Sequence, residues 1–424
     1  MIKVIIISYF YPPSSFVGGE RTAAWAKHLN ESGIYPIVIT RAWNDNQKDL
    51  IDPIDQNELL IEKTDSYEIR RLPYRRSLRD RLSKYPRLRF FQKALTFKEL
   101  ILSNYFIRSL PYFNFYSEAK NLLKTEDVKA VIASGRPFQS FFIGHRLKKE
   151  FDMLWIPDYR DEWTTHKHLD DQGGVHKWIT KLERKSELKW TSNADFFLSV
   201  SDNWVKIISE LIGKEGKVVL NGYNELITNR IDNTRKDQFV ITYAGTLYPS
   251  QNINLVLNSC IALIDEGKSI FIRFIGANMM PKETSRILTL LKGYESHFEF
   301  LDRMPKSDLD GYMNQTDLLF LTSFENIKGW YPVKLFEYYA SGIPLLLCPS
   351  DEDCMERFVK TTNAGFVANS EEDCKKVLLE SIHQKDTSGK VLLDRSIAVG
   401  NQYSRKSQTK VLAEILKFEL AKLN

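Results

Sequence analysis

Short apolar runs alternate along the chain with longer stretches in which apolar residues recur every three or four positions. The runs are Val4–Ser8, Pro36–Thr40, Ala130–Ser134, Leu154–Pro157, Phe196–Val200, Val218–Leu220, Val240–Ala244, Phe271–Ile275, Phe298–Leu301, Leu318–Thr322 and Pro344–Leu347. They are apolar on both faces, which predicts strands of a parallel sheet covered by helices on either side. The alternation predicts βαβ units and an α/β fold class. About eleven strands exceed what one doubly wound domain usually carries, so two sheets are expected. A length of 424 residues points the same way. The break is expected within Lys206–Val218, ahead of the turn Asn221-Gly222-Tyr223-Asn224. The expected domains are residues 1–205, with a basic insertion at about 70–120, and residues 206–395. In the last segment, 396–424, Leu412, Ile415, Leu416, Leu420 and Leu423 fall at helical spacing.

Composition narrows the class. Apolar residues at 43% and charged residues at 27% match a globular chain and exclude a low-complexity one. Cys260, Cys348, Cys354 and Cys374 form no CxxC pair, so no disulfide framework, zinc ribbon or redox motif is expected. This cysteine usage suits a reducing cytoplasm. No apolar run approaches the roughly 18–20 residues of a membrane-spanning helix. The stretch Lys3–Tyr11 runs into Pro12-Pro13 without a small-residue cleavage site and reads as a buried strand, not a signal peptide.

Four motifs carry candidate chemistry. In the first, the strand Val4–Ser8 enters a loop through Pro12-Pro13 to Gly18-Gly19-Glu20-Arg21, where a helix begins. Glycines at a helix N-terminus let an anion approach backbone N–H groups, although a plain turn explains them equally well. In the second, a strand ends in Asp158-Tyr159-Arg160-Asp161-Glu162, at the position where open α/β sheets bind ligands. These charges could bind a hydroxylated ligand or accept a proton, or merely brace the loop as an ion pair. The third is Tyr243-Ala244-Gly245-Thr246-Leu247, again strand, glycine and small hydroxyl residue. The fourth runs from Gly329 to Pro344, with a helix expected from Val333 to the C′ residue Gly342. Lys334 in its first turn opposes the helix dipole unless an anion binds there too. Glu337 follows on the same face. Amides, lysine and carboxylate together suit a phosphate followed by a ribose diol.

In this order the motifs resemble the GT-B glycosyltransferases of family 4. Asn221-Gly222-Tyr223 is similar to that family's inter-domain linker, Gly245-Thr246-Leu247 to its first C-terminal strand end, and Lys334 to Tyr338 with Gly342-Ile343-Pro344 to its donor helix. The resemblance implies two facing Rossmann-like domains, with a C-terminal helix crossing back to the N-terminal domain. It implies a retaining, metal-independent transfer of a hexosyl or N-acetylhexosaminyl group from a nucleotide-diphospho-sugar, UDP- or GDP-linked in this chain, with no cofactor. The donor would be bound mainly by the C-terminal domain in the cleft. It places Glu337 on the ribose, Lys334 and the amides of Val333 and Leu335 on the diphosphate, and Gly18 and Gly19 on the donor from the other domain. Gly245, Thr246, Arg303 and Met304 complete the expected donor site. Asp161, Lys334 and Glu337 are the expected catalytic residues, and Asp158, Arg160 and Arg136 the expected acceptor residues. Two departures stand out. The family's Arg and Lys, five apart after the glycine of the third motif, are missing from Gly245–Gln251, and Gly329 occupies the place of a paired glutamate eight before Glu337. Leaving-group stabilisation would then rest on Lys334, helix amides and Arg303. The seven scattered histidines, with His166 and His168 at the wrong spacing for a helical pair, demand no metal.

Between Arg70 and Lys98 stand Arg70, Arg71, Arg75, Arg76, Arg79, Arg81, Lys84, Arg87, Arg89, Lys93 and Lys98 against the single acid Asp80, interleaved with Tyr74, Tyr85, Phe90, Phe91 and Phe97. A basic, aromatic, amphipathic stretch suits an anionic membrane surface. The expected partners are therefore a nucleotide-sugar donor, a lipid-linked or saccharide acceptor of surface polysaccharide or lipopolysaccharide assembly, and the inner leaflet, without nucleic acid. The expected location is cytoplasmic and peripheral to the membrane. Competing readings are a solvated helical hairpin for the insertion, a sugar-nucleotide epimerase of the same fold, and a non-catalytic lipid- or nucleic-acid-binding protein.

Overall fold

The computed structural model describes residues 1–14, 17–44, 58–74, 77–82, 85–103, 105–106, 108, 113–165, 174–227, 237–325 and 327–423. Arg75, Arg76 and Lys84 of the basic stretch, and His166 and His168, lie outside the described residues. The chain divides into two compact units, Met1–Asn221 with Arg405–Asn424, and Gly222–Ser404.

The first unit holds strands β1 (Ile2–Ile7), β2 (Ile34–Arg41), β3 (Leu60–Lys63), β4 (Glu68–Leu72), β5 (Val128–Ser134), β6 (Leu154–Tyr159), β7 (Phe197–Ser199) and β8 (Gly216–Val218). They form one sheet in the order β3-β4-β2-β1-β5-β6-β7-β8. All pairs are parallel except β3 with β4. The fully buried Val4, Ile6, Val38, Ala130 and Ile132 line one face of it. That face is closed by helix Glu20–His28 and by the last helix, Arg405–Ala421, through Trp25, Leu412, Ala413 and Leu416. Salt bridges Arg405–Glu20 (3.3 Å) and Lys406–Glu31 (2.8 Å) fix that helix at its start.

The second unit holds β9 (Phe239–Ala244), β10 (Ile270–Ile275), β11 (Phe298–Leu301), β12 (Leu318–Leu321), β13 (Leu345–Leu347) and β14 (Gly365–Val367). Their order, β11-β10-β9-β12-β13-β14, is the doubly wound one, parallel throughout. Ile241, Ile272, Leu318 and Leu346 pack with Val256, Cys260, Cys374 and Leu378 of the covering helices Asn254–Asp265 and Glu371–Ser388. Each sheet reverses its winding at one place, between β1 and β5 and between β9 and β12. Crevices outside the carboxyl ends of the strands at such points are where open α/β sheets take ligands.

Three expectations need correction. The division falls at Asn221, later than residue 205, because helix Asp202–Ile212 and β8 complete the first sheet through β7. Residues Ile397–Asn401 form a separate short helix in the second unit, so the returning segment begins at Arg405 and not at 396. Arg70 and Arg71 belong to β4, where Arg70 pairs with Glu68 (2.6 Å) and with Glu118, and Arg71 bonds the Pro12 carbonyl (2.5 Å). The solvent-facing basic residues therefore lie later, on Arg81, Arg87 and helix Arg89–Ser103.

Candidate functional site

In the second unit the site grows from the end of β9. Gly245 has φ +117°, a conformation that only glycine adopts without strain. A Cβ there would lie 2.4 Å from Cε of Lys334, so the glycine also makes room for that lysine. Lys334 stands in the first turn of helix Val333–Ser341, which Pro332 precedes without any side-chain cap. The residue before the helix thus offers its amides no side-chain acceptor, and the Leu335 N–H turns to the Pro332 carbonyl instead (3.0 Å).

The Lys334 ammonium donates to the Tyr243 hydroxyl (2.8 Å) and to the Thr246 carbonyl (2.8 Å), 4.3 Å from the centre of the Tyr243 ring. An ammonium has three donors, so these two contacts leave one N–H for a ligand. Enclosure pushes the lysine down from its ordinary 10.5 to about 7, with Glu337 acting in the opposite direction. Because the folded value lies below the unfolded one, the group costs stability below about pH 7. That cost fades as pH rises from 7 towards 10.5. An anion beside the ammonium would remove it by favouring the charged form.

Glu337 is exposed on the same helix. Tyr338 on that helix holds the strand end, its hydroxyl accepting from the Ala244 N–H (2.7 Å) and donating to the Ala244 carbonyl (3.0 Å). Beside β9, β10 ends in Gly276 at φ +72°. A Cβ at Gly276 would lie 3.6 Å from Cβ of Arg303 and 3.8 Å from the Gly245 Cα. Gly245, Gly276, Arg303 and Lys334 therefore share one end of the sheet, with Arg303 exposed and Met304 half-buried. Gly329, eight residues before Glu337, has φ +72° and donates its N–H to Asp353 (2.7 Å). Asp351, Asp353 and Cys354 lie close enough to share an ion, but Asp351 already accepts the N–H groups of Asp353, Met355 and Glu356 at the start of helix Cys354–Thr362.

In the first unit, the ends of β5 and β6 bring Arg136, Arg160 and Asp161 together. Asp161 faces Arg160 at 3.3 Å and Arg136 at 3.7 Å. Gly18 and Gly19 have packing partners in protein: a Cβ on Gly18 would lie 2.0 Å from Nη1 of Arg160, and one on Gly19 2.7 Å from the Tyr11 Cα. Asp158 departs from the expected acceptor role because it is 0% exposed. It pairs with Arg21 (3.0 Å) and accepts from the Ser134 hydroxyl (2.9 Å). Arg21 in turn donates to the carbonyls of Val219 (2.6 Å) and Leu220 (2.9 Å) and lies over the Trp25 ring. Asp158 is thus the brace under the loop that carries Arg160 and Asp161.

The sequence motifs left out Gly276 and contained Tyr243, Tyr338 and Arg21 without assigning them these roles. Gly276 carried the same signal as Gly245, a glycine directly after a β-rich run. The tyrosines carried none, because their roles depend on which strand end faces which helix. Removing the brace should be severe: Asp158→Ala leaves a buried guanidinium without its counter-charge and is expected to cost about 3–5 kcal/mol. Denaturant unfolding with an unchanged midpoint would refute that role.

The family model of the glycosyl transferases group 1 matches residues 227–389. None of the curated proteins matches the chain. Among solved structures, sucrose-phosphate synthase from Thermosynechococcus elongatus gives a TM-score of 0.61 at 13% identity, covering 100% of this chain and 98% of that one. The α,α-trehalose-phosphate synthase (UDP-forming) from Burkholderia vietnamiensis gives 0.61 at 11% identity, with 100% of both chains covered. HepE from Anabaena, solved in complex with UDP, gives 0.60 at 10% identity over 98% of this chain and 100% of that one. At such identities the likeness shows the fold, which is GT-B.

Proposed function

We propose, from the GT-B fold and the glycosyl transferases group 1 match over residues 227–389, that this chain is a glycosyltransferase that moves a sugar from a nucleotide-diphospho-sugar to a lipid-linked saccharide. The observation that carries this reading is the enclosed Lys334 ammonium beside the uncapped helix start and the glycines at the ends of β9 and β10. Positive charge gathered there suits the diphosphate of a donor, UDP- or GDP-linked, with Glu337 placed for the ribose diol. HepE is named as a complex with UDP and with UDP-glucose, which favours UDP.

In the transfer, the bond from the anomeric carbon to the phosphate oxygen breaks and the nucleoside diphosphate leaves with the electron pair. The acceptor hydroxyl forms the new glycosidic bond, and its proton passes to the leaving phosphate. Front-face attack of this kind retains configuration. Lys334, Arg303 and the first-turn amide of Val333 would stabilise the leaving charge in place of a metal, the Leu335 amide being taken by the Pro332 carbonyl. Asp161 would orient the acceptor hydroxyl. On this reading the transfer serves surface-polysaccharide assembly at the inner leaflet. Exposed Phe90, Phe91, Lys93, Phe97 and Lys98 on helix Arg89–Ser103 support contact with an anionic membrane. No helix among the described residues is long and apolar enough to cross a membrane.

A thermal-shift panel of UDP, GDP, ADP and CMP tests the donor site. One nucleoside diphosphate is expected to raise Tm in the wild type and to lose that effect in Glu337→Ala. No shift with any of the four would count against nucleotide-sugar transfer. For the membrane surface, co-sedimentation with phosphatidylglycerol vesicles is expected at low salt and should weaken in Phe90→Ser/Phe91→Ser and at high salt. Equal recovery with neutral vesicles would remove the charge argument.

A further inference from the structure

We infer that Gln251 is a positioning residue for the donor's diphosphate: acting through Tyr243, it fixes the direction in which the Lys334 ammonium is held. The role rests on the nucleotide-sugar reading of the second unit's site and concerns how that site works without a cation in the loop after β9.

That loop, Gly245-Thr246-Leu247-Tyr248-Pro249-Ser250-Gln251, contains no lysine or arginine. Its last residue turns inward, with Gln251 only 2% exposed. Burying a primary amide is tolerated where its hydrogen-bonding groups find partners. Gln251 finds them on three parts of the unit. Its Oε1 accepts from the Tyr248 N–H (3.1 Å) in the loop and from the Tyr243 hydroxyl (3.3 Å) on β9. Its Nε2 donates to the carbonyl of Thr322, directly after β12 (3.1 Å). Its own main chain is fixed as well, by a bridge to Phe324 and by Arg286, which donates to the Gln251 carbonyl (2.8 Å).

These partners leave the amide one orientation. Tyr248 offers an N–H, which only the oxygen can accept, and Thr322 offers a carbonyl, which only the NH2 group can address. The oxygen therefore faces Tyr243. A tyrosine hydroxyl has one proton, and the groups placed to take it, Gln251 Oε1 and the Thr246 carbonyl (3.0 Å), are both pure acceptors. That proton turns away from Lys334, so the hydroxyl presents its lone pairs to the ammonium 2.8 Å away. The Thr246 carbonyl also accepts from the ammonium at 2.8 Å. By offering the tyrosine proton a second acceptor, Gln251 leaves that carbonyl to the lysine. A buried, neutral side chain thus orients the cation by the polarity of a hydrogen-bond chain, without adding a second buried charge.

The full chain would be compared with Gln251→Leu and Gln251→Glu by NMR of labelled lysine side chains and by calorimetry with UDP, with thermal unfolding as the check on folding. Leucine removes the acceptor, so the Lys334 value should fall below the about 7 of the wild type. Glutamate keeps the acceptor and adds negative charge, so the value should rise above it. Both variants should bind UDP about tenfold more weakly: one loosens the ammonium, and the other neutralises it before the diphosphate arrives. In a Tyr243→Phe background, Gln251→Leu should not move Lys334 further, because the influence runs through that hydroxyl. Should Gln251→Leu fail to fold, Gln251→Met carries the same expectation. Lost packing alone would shift the lysine alike in the leucine and glutamate variants, or leave it in place. Shifts of the same sign, or none, overturn the proposal, and so does a further fall in the Tyr243→Phe background. The lysine titrations are read without nucleotide. A wild type that ignores UDP while the opposite shifts persist would therefore end the nucleotide-sugar reading and leave the hold of Gln251 on Lys334 standing.

Discussion

A single cation held where it is poorly solvated organises the second unit. Lys334 is anchored by Tyr243 from the strand below, by the Thr246 carbonyl from the loop beside it, and by its own helix above. Gly245 must be glycine for two independent reasons, its φ of +117° and the lysine that fills the space beside it. Tyr338 then fastens the same helix to the same strand end through Ala244. The arrangement holds charge at a cost to the free protein, because burial lowers the lysine to about 7. A bound anion offsets that cost, so preorganisation of this kind favours a ligand that carries phosphate.

The first unit solves a similar problem differently. There the buried charge is neutralised internally, Arg21 against Asp158, and the pair ties the ends of β5 and β6 to the chain at Val219 and Leu220. The groups left towards the edge, Arg136, Arg160 and Asp161, do not balance among themselves. One sheet end thus encloses a lysine and the other gathers two arginines around one aspartate. Both lie where the winding of the sheet reverses, which is where side chains from separate βα loops converge.

The strands buried on both faces were plain in the sequence because their apolar runs are unbroken, as in Val4–Ile7 and Leu318–Leu321. β3 and β4 were not, since Leu60–Lys63 is exposed throughout and Glu68–Leu72 carries charges that pair locally. β14 is only three residues long and begins at Gly365. Lys334 was visible from its awkward place in a helix dipole, and Gly245 from the end of its strand. Asp158 was visible as a charge at a strand end, but its partner stands 137 residues away, so its structural role could be read only once the fold brought Arg21 beneath it. Part of the basic stretch was misread for a similar reason: Glu118 reaches Arg70 and Glu62 reaches Arg71 from outside the stretch, while Glu68 pairs with Arg70 within β4.

The most direct test is the titration of Lys334 itself. Selectively labelled protein would be followed by NMR through the lysine side-chain carbon next to nitrogen, with and without UDP, and assigned with Lys334→Met. The account predicts a value near 7 in the free protein that climbs by more than a unit when UDP binds. An ordinary lysine value in the free protein, or a low value that UDP leaves unmoved, would contradict the claim that this ammonium is held ready for a diphosphate.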